Sequence, residues 1–491
     1  MAALDLETRR RLTLVATILG SSLAFIDVTV VIVALPTIED DLGLGLAGEQ
    51  WIFLSYSLAL AALYLTGGAV GDRYGRRRVF TYGIAGFAIA SALAGAASSG
   101  AVLIAARALQ GVAGAFLTTN SLALLRAVYA DRAGRAIGLW TSFTSVATIA
   151  GPPVGGALVE WASWRWIFFL TLPFAVAAIL LARAGRCEER SVGRVGHLDF
   201  AGAFLTATAF GFLTWGLVEG ADQGFPDVWW TFLVAAAAFA AFAVVERRVA
   251  EPMLPFRLFR TRNFAAANAE TFLVYAAIYG YLVYFTLYVQ FLGFTAFEAG
   301  LINIPSSLVL ILLAARFGAI ADRRGPRLLL TAGPALVALG ALLWLPVTTK
   351  DDFWTLGLAG LLVYSLGLAV LVAPITSTAL KSAPSEYAGI ASGVNTTVSR
   401  VGSLTAVAVI GLVITLVFAS QITEGDAIPL VRGQTDPVFR AASIDGFRAG
   451  MLVVVGLAIA GAVVAALAIS DAEALGKRKA VNEPAPAPAE S

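Results

Sequence analysis

The chain has 491 residues, of which 59% are hydrophobic and only 13% charged, with 34 Lys and Arg against 32 Asp and Glu. This apolar excess is that of an integral membrane protein rather than a soluble core, and a net charge of +2 offers no basic surface for nucleic acid. A single cysteine, Cys187, excludes an internal disulfide or a thiolate metal cluster, and a single histidine, His197, excludes a multi-histidine metal site and argues against histidine-based catalysis.

The N-terminus carries Arg9, Arg10 and Arg11 before an apolar run that is too long, and lacks a clear cleavage site, to be a removed signal peptide. It reads as the first spanning helix. Apolar stretches near or above bilayer-spanning length then predict helices at 12–35, 51–71, 79–98, 101–124, 136–159, 165–184, 200–219, 228–246, 264–289, 298–320, 328–347, 353–379, 390–419 and 447–469. The fold class is therefore all-α, with fourteen transmembrane helices. An even count puts both termini on one side. Most basic residues, among them Arg76, Arg77, Arg78, Arg132, Arg135, Arg186, Arg247, Arg248, Arg323, Arg324, Lys477 and Lys479, fall on that side. Acids such as Glu39, Asp40, Asp41, Asp222, Asp227, Asp351 and Asp352 fall on the other. The positive-inside rule makes both termini cytoplasmic, and a thirteen-helix count would scramble the asymmetry.

Between the second and third helices stands Gly68-Ala69-Val70-Gly71-Asp72-Arg73-Tyr74-Gly75-Arg76-Arg77, and between the tenth and eleventh stands Gly318-Ala319-Ile320-Ala321-Asp322-Arg323-Arg324-Gly325-Pro326-Arg327. Both read G-x-x-x-D-R-x-G-x-R. Gly68 and Gly318, four residues before the acid, are expected to let helices approach closely. Asp72 with Arg73 and Arg76, and Asp322 with Arg323 and Arg327, are expected to bond a neighbouring helix or cap their own. Gly75 and Gly325 let the chain reverse. Recurrence at matching places marks an internal repeat, with helices 1–6 repeating as 9–14 and helices 7 and 8 inserted between.

These loops resemble the signature loop of the major facilitator superfamily of secondary transporters. The resemblance implies a major facilitator fold of six, two and six helices. Its halves are expected at 1–184 and 263–470, a linker carrying helices 7 and 8 at 185–262, and a tail at 471–491. The tail ends in alternating Pro and Ala and is expected to be disordered. The family also implies a substrate site near the midplane between halves, reached by rocking one half on the other. Its two loops are expected to act as cytoplasmic latches on the outward-facing state.

Few ionisable residues fall at membrane depth, where each is a functional candidate. Asp27 lies in Phe25-Ile26-Asp27-Val28-Thr29, a stretch ending Ala34-Leu35-Pro36. A carboxyl there can exchange a proton or face a cationic substrate. The segment resembles the first-helix motif of the fourteen-helix drug:proton antiporters. Arg107 lies in Arg107-Ala108-Leu109-Gln110-Gly111, similar to that family's fourth-helix motif, whose arginine is thought to assist proton movement. The two depths are compatible with a pair. Arginine favours the ionised acid and burial the protonated one, so competition between them makes a workable switch. Helix 5 carries Gly151-Pro152-Pro153-Val154-Gly155-Gly156, which resembles the antiporter motif with Ala147 in place of its first glycine. Trp164-Arg165-Trp166, Asp199-Phe200-Ala201-Gly202 and Ala388 through Asn395 match the same branch.

Glu270, in helix 9, belongs to no motif of the family. It is a candidate second proton or cation site, with Arg400 of helix 13 as a candidate partner. Tyr275, Tyr279, Tyr284, Tyr288 and Gln290 of helix 9 can line a cavity, where aromatic rings hold a lipophilic cation. No Walker sequence occurs and no cofactor is expected, so a proton gradient is the expected energy source. The expected protein is a non-enzymatic, monomeric antiporter of the cytoplasmic membrane that exports lipophilic or cationic drugs, its partners being substrate, protons and membrane lipid. The rival is the same fold exporting an endogenous metabolite, lipid or peptide-like product. A membrane-embedded enzyme would need a nucleophile–base set or a metal cluster, and neither is found.

Overall fold

The computed structural model describes residues 5–129, 133–185, 200–222, 224–249, 256–383, 388–422 and 428–475, and they are helical throughout apart from turns. The helices are α1 (Leu6–Leu42), α2 (Gly45–Tyr74), α3 (Arg76–Gly95), α4 (Gly100–Val128), α5 (Ala133–Trp161), α6 (Trp166–Phe169), α7 (Thr171–Ala184), α8 (Phe200–Asp222) and α9 (Phe225–Arg248). They continue as α10 (Arg262–Phe291), α11 (Ala296–Arg324), α12 (Arg327–Leu342), α13 (Leu356–Lys381), α14 (Ala388–Ala419), α15 (Pro437–Ala468) and α16 (Asp471–Ala474). Thirteen spans are long and apolar enough to cross a bilayer when α6 and α7 are taken together, and α12 is a shorter fourteenth. A helix satisfies every backbone group within itself, which is why a lipid-facing chain of this composition takes no other form.

Several predicted boundaries move. α1 and α15 extend well beyond the apolar runs because polar turns continue them outside the hydrocarbon. The start of α15 is set by Asp436, whose carboxylate accepts from Val438 N at 2.8 Å and Phe439 N at 3.2 Å. A capping box of Thr295 and Glu298 starts α11. The sixth span breaks at Leu170, just before Pro173, which lacks the donor to continue the ladder. The predicted helix at 353–379 begins three residues later. A short 3₁₀ turn at Asp351–Trp354 occupies its start, and Asp352 there accepts from Thr348 N and Thr349 N, each at 2.9 Å.

Lipid is as apolar as leucine, so these helices are held by close approach and buried hydrogen bonds rather than by exclusion of water. Here the expectation for Gly68 is corrected. A side chain at Gly68 would meet nothing within 4 Å, whereas one at Gly71 would collide with the Asn120 amide of α4. Asn120 lies across that face and donates to the Gly67 carbonyl at 2.8 Å. The close seam between α2 and α4 thus runs through Gly67 and Gly71.

The tail expectation is also corrected at its start. Residues 471–475 belong to the fold, as α16 and the residue after it, while 476–491 lie outside the described residues. The first part of the expected linker, residues 186–199 with Cys187 and His197, lies outside them too.

The helices before α8 and after α9 pack as two groups, with α8 resting on α2 and α14. The groups meet firmly at the end remote from the termini. There a side chain at Gly156 of α5 would collide with the Ala296 carbonyl of α11, and one at Gly300 with the Pro152 carbonyl. Trp161 lies 4.9 Å from Phe297, ring centre to ring centre, and Gln290 donates to Val33 O at 3.0 Å. Nearer the termini, Thr141, Ser142, Ala315 and Arg316 of these same helices are exposed.

Candidate functional site

Asp27 of α1 and Arg107 of α4 meet: Arg107 Nη1 donates to Asp27 Oδ2 at 2.5 Å, and neither side chain is more than 1% exposed. Sequence reasoning placed both residues but not the groups that complete the cluster. Gln110 Nε2 donates to the second carboxylate oxygen at 3.2 Å and to Ser91 Oγ of α3 at 2.8 Å, and Gln110 Oε1 accepts from Arg107 Nη1 at 2.8 Å. Arg107 Nε donates to the Ile52 carbonyl of α2 at 3.2 Å, and its guanidinium lies 4.5 Å from the Tyr56 ring centre. Gln110 was legible in principle, since a residue three after Arg107 shares its helix face. Ser91 and Tyr56 were not, because nothing local ties them to Arg107. Arg107 Nη2 has no hydrogen-bond partner among the described residues, so one end of the guanidinium is left without an acceptor.

The helix 5 motif builds the contact between halves. Gly151 lies against Thr29 and Gly155 against Val30, both of α1, while Gly156 faces α11. Pro152 lies inside α5 yet leaves it unbroken, because α1 and α11 hold it on both sides. Beside this contact is a cavity of about 160 Å³ between the two groups of helices, whose polar lining includes Thr29, Thr148, Thr286, Asn303, Ser306 and Tyr364.

The two signature loops keep the same backbone, with φ of +97° at both Gly75 and Gly325, a conformation that strains any residue with a Cβ. Their ion pairs differ. Asp72 binds Arg76 of its own loop at 2.8 Å, and Arg76 reaches the Ala123 carbonyl of α4 at 3.2 Å. In the second loop Pro326 stands at that register, so Asp322 takes Lys381 from α13 at 2.6 Å. Arg327 donates its backbone N–H to Asp471 of α16 at 2.9 Å and its guanidinium to the Ala466 carbonyl. The arginines that directly follow the two acids, Arg73 and Arg323, are exposed, and Gly318 lies beside Ala373 of α13.

The remaining candidates are not brought together. Glu270 is fully buried on α10 near Gly461 of α15, and neither carboxyl oxygen has a partner among the described residues. It does not pair with Arg400, whose Nη1 instead lies 3.5 Å from Tyr279 OH. Glu270 and Tyr279, the residue that Arg400 touches, leave α10 on different faces. Tyr284 and Tyr288 do not line a cavity: their hydroxyls donate to the Val407 and Val347 carbonyls, each at 2.5 Å, and both rings are buried. Gln290 belongs to the closed end described above. Among the described residues no group of three or more His, Cys, Asp or Glu could hold a metal.

The model of the Major Facilitator Superfamily matches residues 17–407. The multidrug resistance protein Stp of Mycobacterium tuberculosis is 35% identical over 437 residues, covering 87% of this chain and 80% of that protein. The tetracenomycin C resistance and export protein of Streptomyces glaucescens is 34% identical over 423 residues, 85% and 77% of the two chains. The crystal structure of a bacterial homologue of the human lysosomal transporter Spinster, inward-facing and unoccupied, aligns with a TM-score of 0.67 over 96% of this chain and 98% of that one; at 18% identity this shows the fold alone. With fourteen spans, a repeated signature loop and relatives across most of its length, this chain belongs to the major facilitator superfamily, as a membrane transporter of the fourteen-helix branch related to multidrug and antibiotic-resistance efflux proteins.

Proposed function

We propose that the protein exports lipophilic small molecules, drugs among them, from the cytoplasm in exchange for protons. The observation that carries this reading is the buried cluster of Asp27, Arg107, Gln110 and Ser91 at membrane depth. A buried pair that loses one partner leaves a charge with no compensation. Any helix motion that draws Arg107 away from Asp27 therefore drives a proton onto the carboxylate, and its return expels that proton. Two of the cluster's members hang on α4 and one on α1, so relative movement of these helices is enough to work it.

The basic residues support cytoplasmic termini. In that orientation the closed end faces outward and the exposed ends of α5 and α11, at Thr141, Ser142, Ala315 and Arg316, lie toward the cytoplasm, the arrangement expected of an exporter ready to load. The signature loops are then cytoplasmic, and each ion pair described above stays within one group of helices, as expected of latches released in this state. Glu270 is a second proposed proton carrier: a carboxyl sealed in the second half with neither oxygen bonded has no other evident use there. The printed activities of the relatives, multidrug resistance and antibiotic export, support the substrate class.

Reconstitution in liposomes with an imposed pH gradient tests the reading, using a panel of fluorescent lipophilic compounds of either charge. Gradient-driven transport by the wild type, abolished in a folded Asp27→Asn variant, is the expected result. Undiminished gradient-driven transport by that variant overturns the coupling assignment.

A further inference from the structure

Arg400 lies in the middle third of α14, at membrane depth, near tyrosines of α2 in the other group of helices. It is half-buried, and its one hydrogen bond among the described residues is the 3.5 Å contact with Tyr279 OH. Its electrostatic neighbours are Tyr279, Tyr56, Tyr64 and Tyr275, phenols drawn from α2 and α10, with no carboxylate among them. The acids that might have answered it are taken or turned away. Asp27 is held by Arg107, which lies against the Tyr56 ring, and Glu270 lies near Gly461 of α15. A guanidinium carries five donors in a planar fork, and at membrane depth such a charge is normally paired. Here one weak bond is made, on a surface shared by both halves.

We infer that Arg400, with Tyr279 and Tyr275 beside it, is a substrate subsite for the anionic oxygen of an aromatic acid, a carboxylate or phenolate on a lipophilic ring system. A planar oxyanion matches the guanidinium fork, and the surrounding rings supply flat apolar faces for the substrate's own ring. Tyr275 and Tyr279 are the two tyrosines of α10 left partly exposed, which puts them within reach of such a ligand, unlike Tyr284 and Tyr288. The charge this selects is opposite to the one that cation–π contact with the tyrosines alone would select. The inference rests on the surface between the halves being the transport path.

The test is equilibrium binding to the full-length protein in detergent, without any gradient, read by fluorescence anisotropy. Fluorescein and rhodamine 123 share a xanthene frame and carry opposite charge. Wild type is expected to bind fluorescein at least about ten-fold more tightly than rhodamine 123. Arg400→Gln is expected to lose that ten-fold for fluorescein alone, with rhodamine 123 binding unchanged or tighter, and Arg400→Lys to recover part of it. Tyr279→Phe should weaken fluorescein less than Arg400→Gln does. Equal affinity for the two dyes in the wild type, a preference for the cation, binding of neither, or an equal loss of both in Arg400→Gln would each overturn the inference. Were Arg400→Gln not to fold, the wild-type preference together with Arg400→Lys decides it. Because no proton gradient enters, failure here leaves the coupling role of Asp27 untouched, and failure of that role leaves the charge preference measurable.

Discussion

Asp27 and Arg107 stand eighty residues apart in the chain and 2.5 Å apart in the fold, and they are sealed from solvent on every side. A pair this buried is costly to break from one side only. Arg107→Ala is expected to destabilise the protein by roughly 3–5 kcal/mol, because it leaves Asp27 with Gln110 alone. Asp27→Asn with Arg107→Gln together should be milder than Arg107→Ala, since no charge is then stranded. Thermal unfolding in detergent compares them; a double variant no more stable than Arg107→Ala would show that the pair is not the main contribution.

The seam between α2 and α4 predicts opposite outcomes for two glycines of one motif. Gly71→Val should cost about 1–3 kcal/mol or prevent folding, since Asn120 occupies the space. Gly68→Ala should leave the melting temperature unchanged or slightly raised, because the position is open and alanine favours helix by about 1 kcal/mol. Equal loss in both would contradict the assigned seam.

Asp322 and Lys381 are both more than half exposed, and Asp72 is 46% exposed beside a more buried Arg76, settings in which the pair itself is worth about 0–1 kcal/mol. Asp72→Asn and Lys381→Ala should therefore leave stability nearly unchanged. If the loops are latches, the same variants shift the balance between inward- and outward-facing states, which spin-label distances across the two halves would read. Unchanged populations and transport rates would remove the latch role.

Glu270→Gln keeps the shape of the buried side chain while removing its proton. It should fold and still bind substrate, and it should lower the number of protons exchanged per substrate in reconstituted vesicles. Identical stoichiometry would leave Glu270 without a coupling role. Glu270→Leu is expected to be at least as stable as the wild type, since a buried polar group without a partner costs roughly 1–3 kcal/mol.

At the loop between α12 and α13, outside the spans, bonds from Thr348 N, the Thr349 hydroxyl and Thr349 N hold the Asp352 carboxyl below its ordinary value of 3.8. Its folded value is depressed, so this contribution is complete above about pH 4 and is lost as the pH falls through the folded value. Hydrogen exchange at Thr348 and Thr349 should accelerate below that range in the wild type, beyond the intrinsic pH effect. Asp352→Asn should not show that extra step; the same step in both would assign it elsewhere.

By itself the sequence determined the solvent this protein lives in, the number of its spans, the repeat of its halves and the family it resembles. Each of these follows from apolar run length and from motifs contiguous in the chain, and a helix in lipid has no alternative form to choose. The individual candidates Asp27, Arg107 and Glu270 were likewise legible, because a charge inside an apolar run is visible without any partner. Which charges meet was decided only in three dimensions. Depth along a helix says nothing of the direction in which a side chain leaves it, and that direction pairs Arg107 with Asp27, separates Arg400 from Glu270, turns Gly71 rather than Gly68 toward α4 and buries Tyr284 while leaving Tyr279 beside a cation. Rotation about a helix axis is set by the neighbours it packs against, and those neighbours come from distant parts of the chain.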